Sequence, residues 1–124
     1  MDIANVYRPM VFGCQADEKL PDVARRMTEK NVGALAVLDD GQITGLITER
    51  DIVRALATAD DPASVSAGEY ASTYMRVAAL HEDTHEVARR MLDYGIRHMP
   101  VDEGGRVVGM VSMRDLLAVE AWMS

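Results

Sequence analysis

The residues best suited to chemistry stand in a seven-residue pattern that occurs twice, Gly-x-x-(Thr/Ser)-x-Arg-Asp. One copy runs from Gly45 to Asp51 and the other from Gly109 to Asp115. If the Thr or Ser begins a helix, its hydroxyl lies beside unpaired backbone N–H groups, where the helix dipole favours an anion. The aspartate could accept hydrogen bonds from two vicinal hydroxyls such as those of a ribose, and the arginine could donate to phosphate oxygens. The pattern therefore predicts a nucleotide site formed by Thr48, Arg50, Asp51, Ser112, Arg114 and Asp115.

A simpler interpretation of the same pattern stays open. Thr48-x-x-Asp51 and Ser112-x-x-Asp115 are also typical of capping boxes, in which two side chains satisfy N–H groups at the start of a helix. Capping explains neither the shared arginine nor the shared glycine three residues upstream. The same residues can also serve both purposes.

The pattern belongs to a longer duplication with an offset of 64 residues and no gap. The segment Val23 to Met27 is identical to Val87 to Met91, and Val37, Gly41 and Gly45 also recur. Each repeat alone is too short to bury enough apolar surface for a stable fold. We therefore expect the two copies to share one core around an approximate two-fold axis. The predicted boundaries are repeat 1 at 1–60, a linker at 61–69 and repeat 2 at 70–124.

Hydrophobic spacing predicts the same elements in both copies. Leu20, Val23, Ala24 and Met27 fall on one helix face, so helices are expected to start near residues 19 and 83. Each is followed by a hairpin with a Gly-containing turn, then by a final helix. The expected strands and final helices are 34–38, 43–48 and 49–58 in the first copy, and 98–101, 107–112 and 113–123 in the second. Short leading strands are expected at 11–14 and 77–80.

Two glycines stand inside predicted strands. Gly45 and Gly109 would weaken those strands, because glycine has no side chain to pack and a large conformational entropy. They are expected where another backbone or a ligand approaches closely.

Composition excludes several classes of function. A net charge of -7 disfavours nucleic acid, whose binding depends on neutralising phosphates with Lys and Arg. No apolar run approaches the roughly 20 residues of a membrane span, so no membrane association is expected. The acidic start, without a signal-peptide pattern, and the single Cys14 favour a reducing cytoplasm.

Other chemistry has little support in the sequence. His81 and His85 have the four-residue spacing of a metal pair, but no third ligand is evident, so no metal site is predicted. Cys14 lacks an adjacent base and is expected to be a small buried side chain. Without a paired acid and base or an activated nucleophile, the chain is not expected to be an enzyme.

The whole chain resembles a stand-alone tandem pair of cystathionine β-synthase (CBS) domains, also called a Bateman module. The resemblance rests on four segments: 32–37, 45–51, 96–101 and 109–115. It implies a mixed α/β (α+β) fold of two βαββα repeats packed face to face with pseudo-two-fold symmetry. It also implies clefts that bind adenosine ligands: AMP, ADP or ATP above all, with S-adenosylmethionine or NAD as further possibilities.

Carried onto this chain, the resemblance assigns ribose to Asp51 and Asp115. It assigns phosphate to the Thr, Ser and Arg of the pattern and adds Arg97 and His98 at the start of the second hairpin. The first copy has Gly33 and Ala34 there, so the two clefts are expected to differ in charge.

The resemblance further implies a homodimer that binds an adenine-containing small molecule and signals to a separate, unidentified protein. Two other functions stay open. One is a dimeric interaction scaffold with empty clefts, and the other is an enzyme that acts on nucleotides.

Overall fold

The structure, a computed structural model, describes residues 1–9, 11–73 and 76–123. Contacts divide the chain into two compact units. The contiguous unit runs from Phe12 to Met75, and the composite unit joins Met1–Val11 to Arg76–Ser124. No helix within the described ranges combines the length and the apolar composition that a membrane span requires.

The contiguous unit has the order strand, helix, strand, strand, helix, followed by one short helix. Its elements are β1 Gly13–Gln15, α1 Leu20–Lys30, β2 Ala34–Asp39, β3 Gln42–Thr48, α2 Glu49–Thr58 and α3 Ala67–Tyr70. The strands form one sheet in the order β1-β2-β3, with β1 parallel to β2 and β2 antiparallel to β3. This is the predicted helix–strand–strand–helix unit with its leading strand.

The composite unit repeats this arrangement. Its elements are β4 Ala78–Ala79, α4 Thr84–Tyr94, β5 His98–Glu103, β6 Arg106–Ser112 and α5 Met113–Met123. The sheet order is β4-β5-β6, again with one parallel and one antiparallel pair. Cys14 pairs with Val37 in the first sheet and Ala78 with Val101 in the second, so the offset of 64 residues holds in three dimensions. The predicted pair of βαββα units is confirmed.

Each hairpin turns on two residues with positive φ. These residues are Asp40 (52°) and Gly41 (78°) in the first unit, and Gly104 (60°) and Gly105 (86°) in the second. Two consecutive positive φ angles match the right-handed twist of the flanking strands, so the turn fixes the register of each hairpin. Each unit buries its own core behind its sheet. The largest fully buried side chains are Cys14, Val23, Leu35, Val37 and Ile47 in the contiguous unit, and Ile3, Val87, Met91, Met99, Val101 and Val111 in the composite unit.

In each unit, a segment outside the βαββα repeat pairs by its backbone with the last strand of the sheet. We call this the leading segment: residues 1–11 in the composite unit, and the stretch around Ser72 in the contiguous unit. In the composite unit, residues 1–11 supply the buried Ile3, whose N–H donates to the carbonyl of Glu82 at 2.9 Å. Further along, Arg8 and Met110 exchange two backbone hydrogen bonds of 2.8 and 2.9 Å. In the contiguous unit the equivalent pair is Ser72 and Leu46, with both bonds at 2.9 Å. Residues 1–11 thus do for the composite unit what the stretch before β4 does for the contiguous one.

The segment predicted as a linker, 61–69, carries structure of its own. A 3-10 turn spans Pro62–Ser64, and α3 begins at Ala67. The N–H of Ser66 donates to a carboxylate oxygen of Glu69 at 2.9 Å, which fixes the start of α3. Ala67 is fully buried, so this segment contributes to the core of the contiguous unit.

Gly45 and Gly109 lie where these leading segments cross the sheets. A Cβ atom on Gly45 would stand 2.6 Å from the carbonyl oxygen of Ser72, and one on Gly109 would meet the carbonyl oxygen of Arg8. Both separations are shorter than the van der Waals contact that a Cβ atom makes with an oxygen. The expected close approach is confirmed. The approaching group is backbone at Gly45, and backbone together with the Tyr7 ring at Gly109.

Candidate functional site

The strand-to-helix junction of the contiguous unit forms a complete capping box. Thr48 ends β3, and its N–H donates to Oδ2 of Asp51 at 2.9 Å. The N–H of Asp51 donates back to the Thr48 hydroxyl oxygen at 3.3 Å. The two side chains therefore satisfy donors that the start of α2 would otherwise leave unpaired.

The junction of the composite unit has the same geometry. The N–H of Ser112 donates to Oδ2 of Asp115 at 3.0 Å, and the N–H of Asp115 donates to the Ser112 hydroxyl oxygen at 3.1 Å. The capping interpretation is confirmed at both helix starts. It engages only one carboxylate oxygen of each aspartate, so capping leaves the other oxygen of each for a second role.

The structure gathers the predicted residues into two corners, one in each unit. We call Thr48, Arg50 and Asp51 the α2 corner, and Arg97, His98, Ser112, Arg114 and Asp115 the α5 corner. The α5 corner is held together by the sheet, because His98 is the register partner of Ser112. The N–H of Met113 also donates to the carbonyl of Arg97 at 2.8 Å.

The α2 corner has the same backbone contacts but different side chains at the start of its hairpin. Ala34 is the register partner of Thr48, and the N–H of Glu49 donates to the carbonyl of Gly33 at 3.0 Å. Gly33 and Ala34 thus occupy the places of Arg97 and His98. The two corners therefore share the same backbone contacts. At the start of the hairpin, the α5 corner carries an arginine and a histidine where the α2 corner has a glycine and an alanine.

Two arginines that the sequence patterns did not single out contact the predicted ribose-binding aspartates. At the α2 corner, Nη2 of Arg54 lies 3.3 Å from Oδ1 of Asp51 and donates to the carbonyl of Tyr70 at 3.0 Å. At the α5 corner, Nε of Arg8 donates to Oδ1 of Asp115 at 3.1 Å. Arg54 could have been found from its three-residue spacing on one helix. Arg8 lies 107 residues from Asp115 in sequence, and no local pattern marks it.

Burial and exposure set the two aspartates apart from the cations around them. The side chains of Asp51 and Asp115 are 17% and 11% exposed, whereas those of Arg54 and Arg8 are 57% and 64% exposed. Arg50, Arg97 and Arg114 are also exposed. Each corner therefore presents a shielded carboxylate in contact with one solvent-facing arginine, with further exposed arginines on the neighbouring backbone. Such an arrangement can accept sugar hydroxyls and attract an anion.

The remaining candidate residues have other surroundings. Over the described ranges no group of three or more His, Cys, Asp and Glu side chains is placed to hold a metal. His85 contacts Asp83 and Glu120. Cys14 is 2% exposed, and its pKa is raised to about 11 by desolvation and by the charge of Glu18, which Arg26 only partly offsets. A thiol in that environment is not an activated nucleophile.

The family model for the CBS domain matches this chain twice, at residues 3–58 and 67–121. The chain belongs to the CBS domain family. An uncharacterised protein of Methanopyrus kandleri is 29% identical over 126 residues, which cover 99% of this chain and 64% of that protein. This chain therefore spans less than two thirds of that relative.

Solved structures show the same fold. A CBS-domain containing protein of Agrobacterium tumefaciens gives a TM-score of 0.91 at 24% identity, over 96% of this chain and 92% of that one. A CBS domain pair in complex with 5′-methylthioadenosine and S-adenosyl-L-methionine gives 0.89 at 24% identity, over 100% and 98%. Two CBS repeats in tandem are thus established for this chain.

Proposed function

We propose that this chain is a regulatory CBS pair that binds an adenosine nucleotide at the α5 corner and signals the bound state to a separate protein. The observation that carries the proposal is that the backbones of Arg97, His98, Ser112 and Arg114 meet at the strand-to-helix junction that holds the shielded carboxylate of Asp115. The solved CBS pair in complex with two adenosine compounds supports the choice of ligand class. AMP, ADP and ATP fit the cationic corner best, and S-adenosylmethionine and NAD belong in the same test.

The proposed roles follow from the chemistry of each group. The ionised carboxylate of Asp115 can only accept hydrogen bonds, and the two vicinal ribose hydroxyls donate to it. The hydroxyl of Ser112, the guanidinium groups of Arg97 and Arg114, and the N-terminal end of α5 face the phosphate. The α2 corner offers the same carboxylate with fewer cations, so it binds an anionic ligand more weakly.

A second candidate function is a dimeric interaction scaffold with empty clefts. The observation in its favour is that both capping boxes are complete without a ligand. On this hypothesis the aspartates stabilise helices and bind nothing. Either function is compatible with the proposed homodimer, whose mass light scattering would measure directly.

The decisive experiment is thermal unfolding in the presence of AMP, ADP, ATP, NAD, S-adenosylmethionine and GMP as a control. A ligand at about 100 times its dissociation constant adds about 2.7 kcal/mol of stability, which raises the midpoint by several degrees. Asp115→Ala and Asp51→Ala form a matched pair, since each removes a helix cap worth about 1 kcal/mol.

We expect an adenine nucleotide to raise the midpoint of the wild type and of Asp51→Ala, but not that of Asp115→Ala. If no ligand shifts the wild type and both variants lose only the capping energy, the scaffold hypothesis replaces this proposal. Steady turnover of ATP by the purified protein would instead favour an enzyme.

A further inference from the structure

Arg8 stands apart from the other cations of the α5 corner because a different part of the chain delivers it. Its backbone pairs with Met110 on β6 through two hydrogen bonds, and its side chain reaches the first turn of α5. Nε donates to Oδ1 of Asp115, the oxygen that the capping box does not use. In this structure, therefore, Arg8 bonds the acceptor that a ribose would need.

We propose that Arg8 selects for a phosphate-bearing ligand at the α5 corner by exchanging its carboxylate partner for the ligand's phosphate. This inference rests on the proposed function and names the residue that sets its ligand class. When vicinal hydroxyls take Oδ1 of Asp115, the guanidinium of Arg8 is released beside a corner that already holds Arg97 and Arg114.

The charges at the corner explain why the exchange discriminates between ligands. A neutral nucleoside takes the carboxylate oxygen and leaves the Arg8 guanidinium without its anionic partner. A phosphate gives the guanidinium a new partner, and arginine binds phosphate through a planar fork of N–H donors. A ligand that brings its own negative charge thus gains a contact with Arg8 that a neutral nucleoside cannot make.

The contact is also placed for exchange. The Arg8 side chain is 64% exposed, and ion pairs with an exposed partner are worth little, so the contact breaks readily. The backbone of Arg8 is held by main-chain hydrogen bonds to Met110, and these bonds do not involve the Arg8 side chain. The side chain can therefore change partners while the leading segment stays in place.

The α2 corner shows a different arrangement and provides the comparison. The arginine on Asp51 is Arg54, which also donates to the carbonyl of Tyr70 and lies over the Tyr70 ring at 5.0 Å. Three contacts hold Arg54, so we expect it to keep its position. The residue in the place of Arg8 is Ser72, which carries no charge.

The test compares AMP with adenosine by titration calorimetry on the wild type, Arg8→Ala, Arg8→Lys and Asp115→Ala. We expect Arg8→Ala to weaken AMP about ten-fold, the effect of losing one charge-assisted hydrogen bond. Adenosine should bind equally well or more tightly, because its ribose no longer competes with a guanidinium. The AMP affinity of Arg8→Lys should lie between those of the wild type and Arg8→Ala, since lysine keeps the charge and lacks the planar fork of donors.

Ser72→Ala is the matched control, because it changes the equivalent backbone position of the other unit, and it should leave both affinities unchanged. Equal weakening of AMP and adenosine by Arg8→Ala, or no change in either, would overturn this inference alone. If the wild type binds neither compound, the proposed function fails first and this inference falls with it. Circular dichroism and the unfolding midpoint of each variant establish that it is folded.

Discussion

Asp115 uses its two carboxylate oxygens for different partners. Oδ2 accepts the N–H of Ser112 and completes the cap, while Oδ1 accepts Nε of Arg8. Asp51 divides its oxygens in the same way between Thr48 and Arg54. Capping and ligand binding are therefore compatible at the level of single atoms. A substitution that removes the whole carboxylate changes both, which is why the two aspartates must be compared with each other.

How far the sequence could predict these contacts depends on their spacing. The pairing of Thr48 with Asp51 follows from a three-residue interval that helix geometry imposes. The contact of Arg8 with Asp115 depends on how residues 1–11 cross β6, and no periodicity in the sequence encodes that crossing. The candidate corners and the contact of Arg54 with Asp51 were therefore predictable from local spacing, and the contact of Arg8 with Asp115 was not.

Cys14 gives a prediction that depends on pH. Its pKa of about 11 exceeds the ordinary value of 9.0, so the folded protein holds the thiol proton more tightly than the unfolded chain. At pH 8, alkylation by iodoacetamide should be about 100-fold slower in the folded protein than in urea, in proportion to the thiolate fraction. Mass spectrometry of the labelled protein measures both rates.

The same shift fixes the sign of a stability effect. Any stability from the bound thiol proton is present below pH 9 and is lost as the pH rises towards about 11, because the unfolded chain releases the proton first. Cys14→Ala should lack this decline in urea titrations across that range. Equal labelling rates in the folded and unfolded protein would contradict the burial of this thiol.

Helices α1 and α4 are equivalent elements that end in the same backbone conformation with two different residue types. Asn31 and Gly95 are equivalent by the offset, and both end their helix in the left-handed conformation, at φ 53° and 67°. Glycine and asparagine are the two residues that accept this conformation most readily. The helix faces and hairpins were predictable from spacing and turn residues. The four-residue α3 was not, since it is too short for the 3.6-residue hydrophobic pattern to repeat.

This equivalence predicts the outcome of two substitutions at one position. Gly95→Ala should cost about 1 kcal/mol, because alanine is strained at positive φ although open space surrounds the site. Gly95→Asn should cost clearly less, since asparagine already fills the equivalent position in α1. Urea denaturation at fixed pH gives both free energies of unfolding. Equal costs for the two variants would show that backbone conformation does not limit this position.

At the scale of the whole molecule, the units of sequence differ from the units of structure. The boundaries predicted from the sequence include residues 1–11 in repeat 1, whereas their contacts place them in the composite unit. Sequence patterns report spacing along the chain and do not show which sheet residues 1–11 join. Long-range contacts decide it, among them the pairing of Arg8 with Met110 and the burial of Ile3 in the core of the composite unit.

Ile3 tests this assignment. Its side chain is fully buried in the core of the composite unit, so Ile3→Ala should cost about 2 to 5 kcal/mol through the cavity it leaves. Amide hydrogen exchange should accelerate more in β4, β5 and β6 than in β1, β2 and β3. Leu35→Ala, which empties a fully buried site in the contiguous unit, should give the opposite distribution. Faster exchange in β1 to β3 than in β4 to β6 after Ile3→Ala would refute the assignment.

The composite unit also has a consequence for the order in which the protein is made. Residues 1–11 leave the ribosome before either sheet, but the sheet that they complete is finished only when Ser112, the last residue of β6, has emerged. The contiguous unit needs nothing beyond Met75. The contiguous unit can therefore fold during synthesis before residues 1–11 meet their partner strand β6. Arg8 and Asp115 can meet only after α5 has begun to emerge, so the α5 corner forms later than the α2 corner.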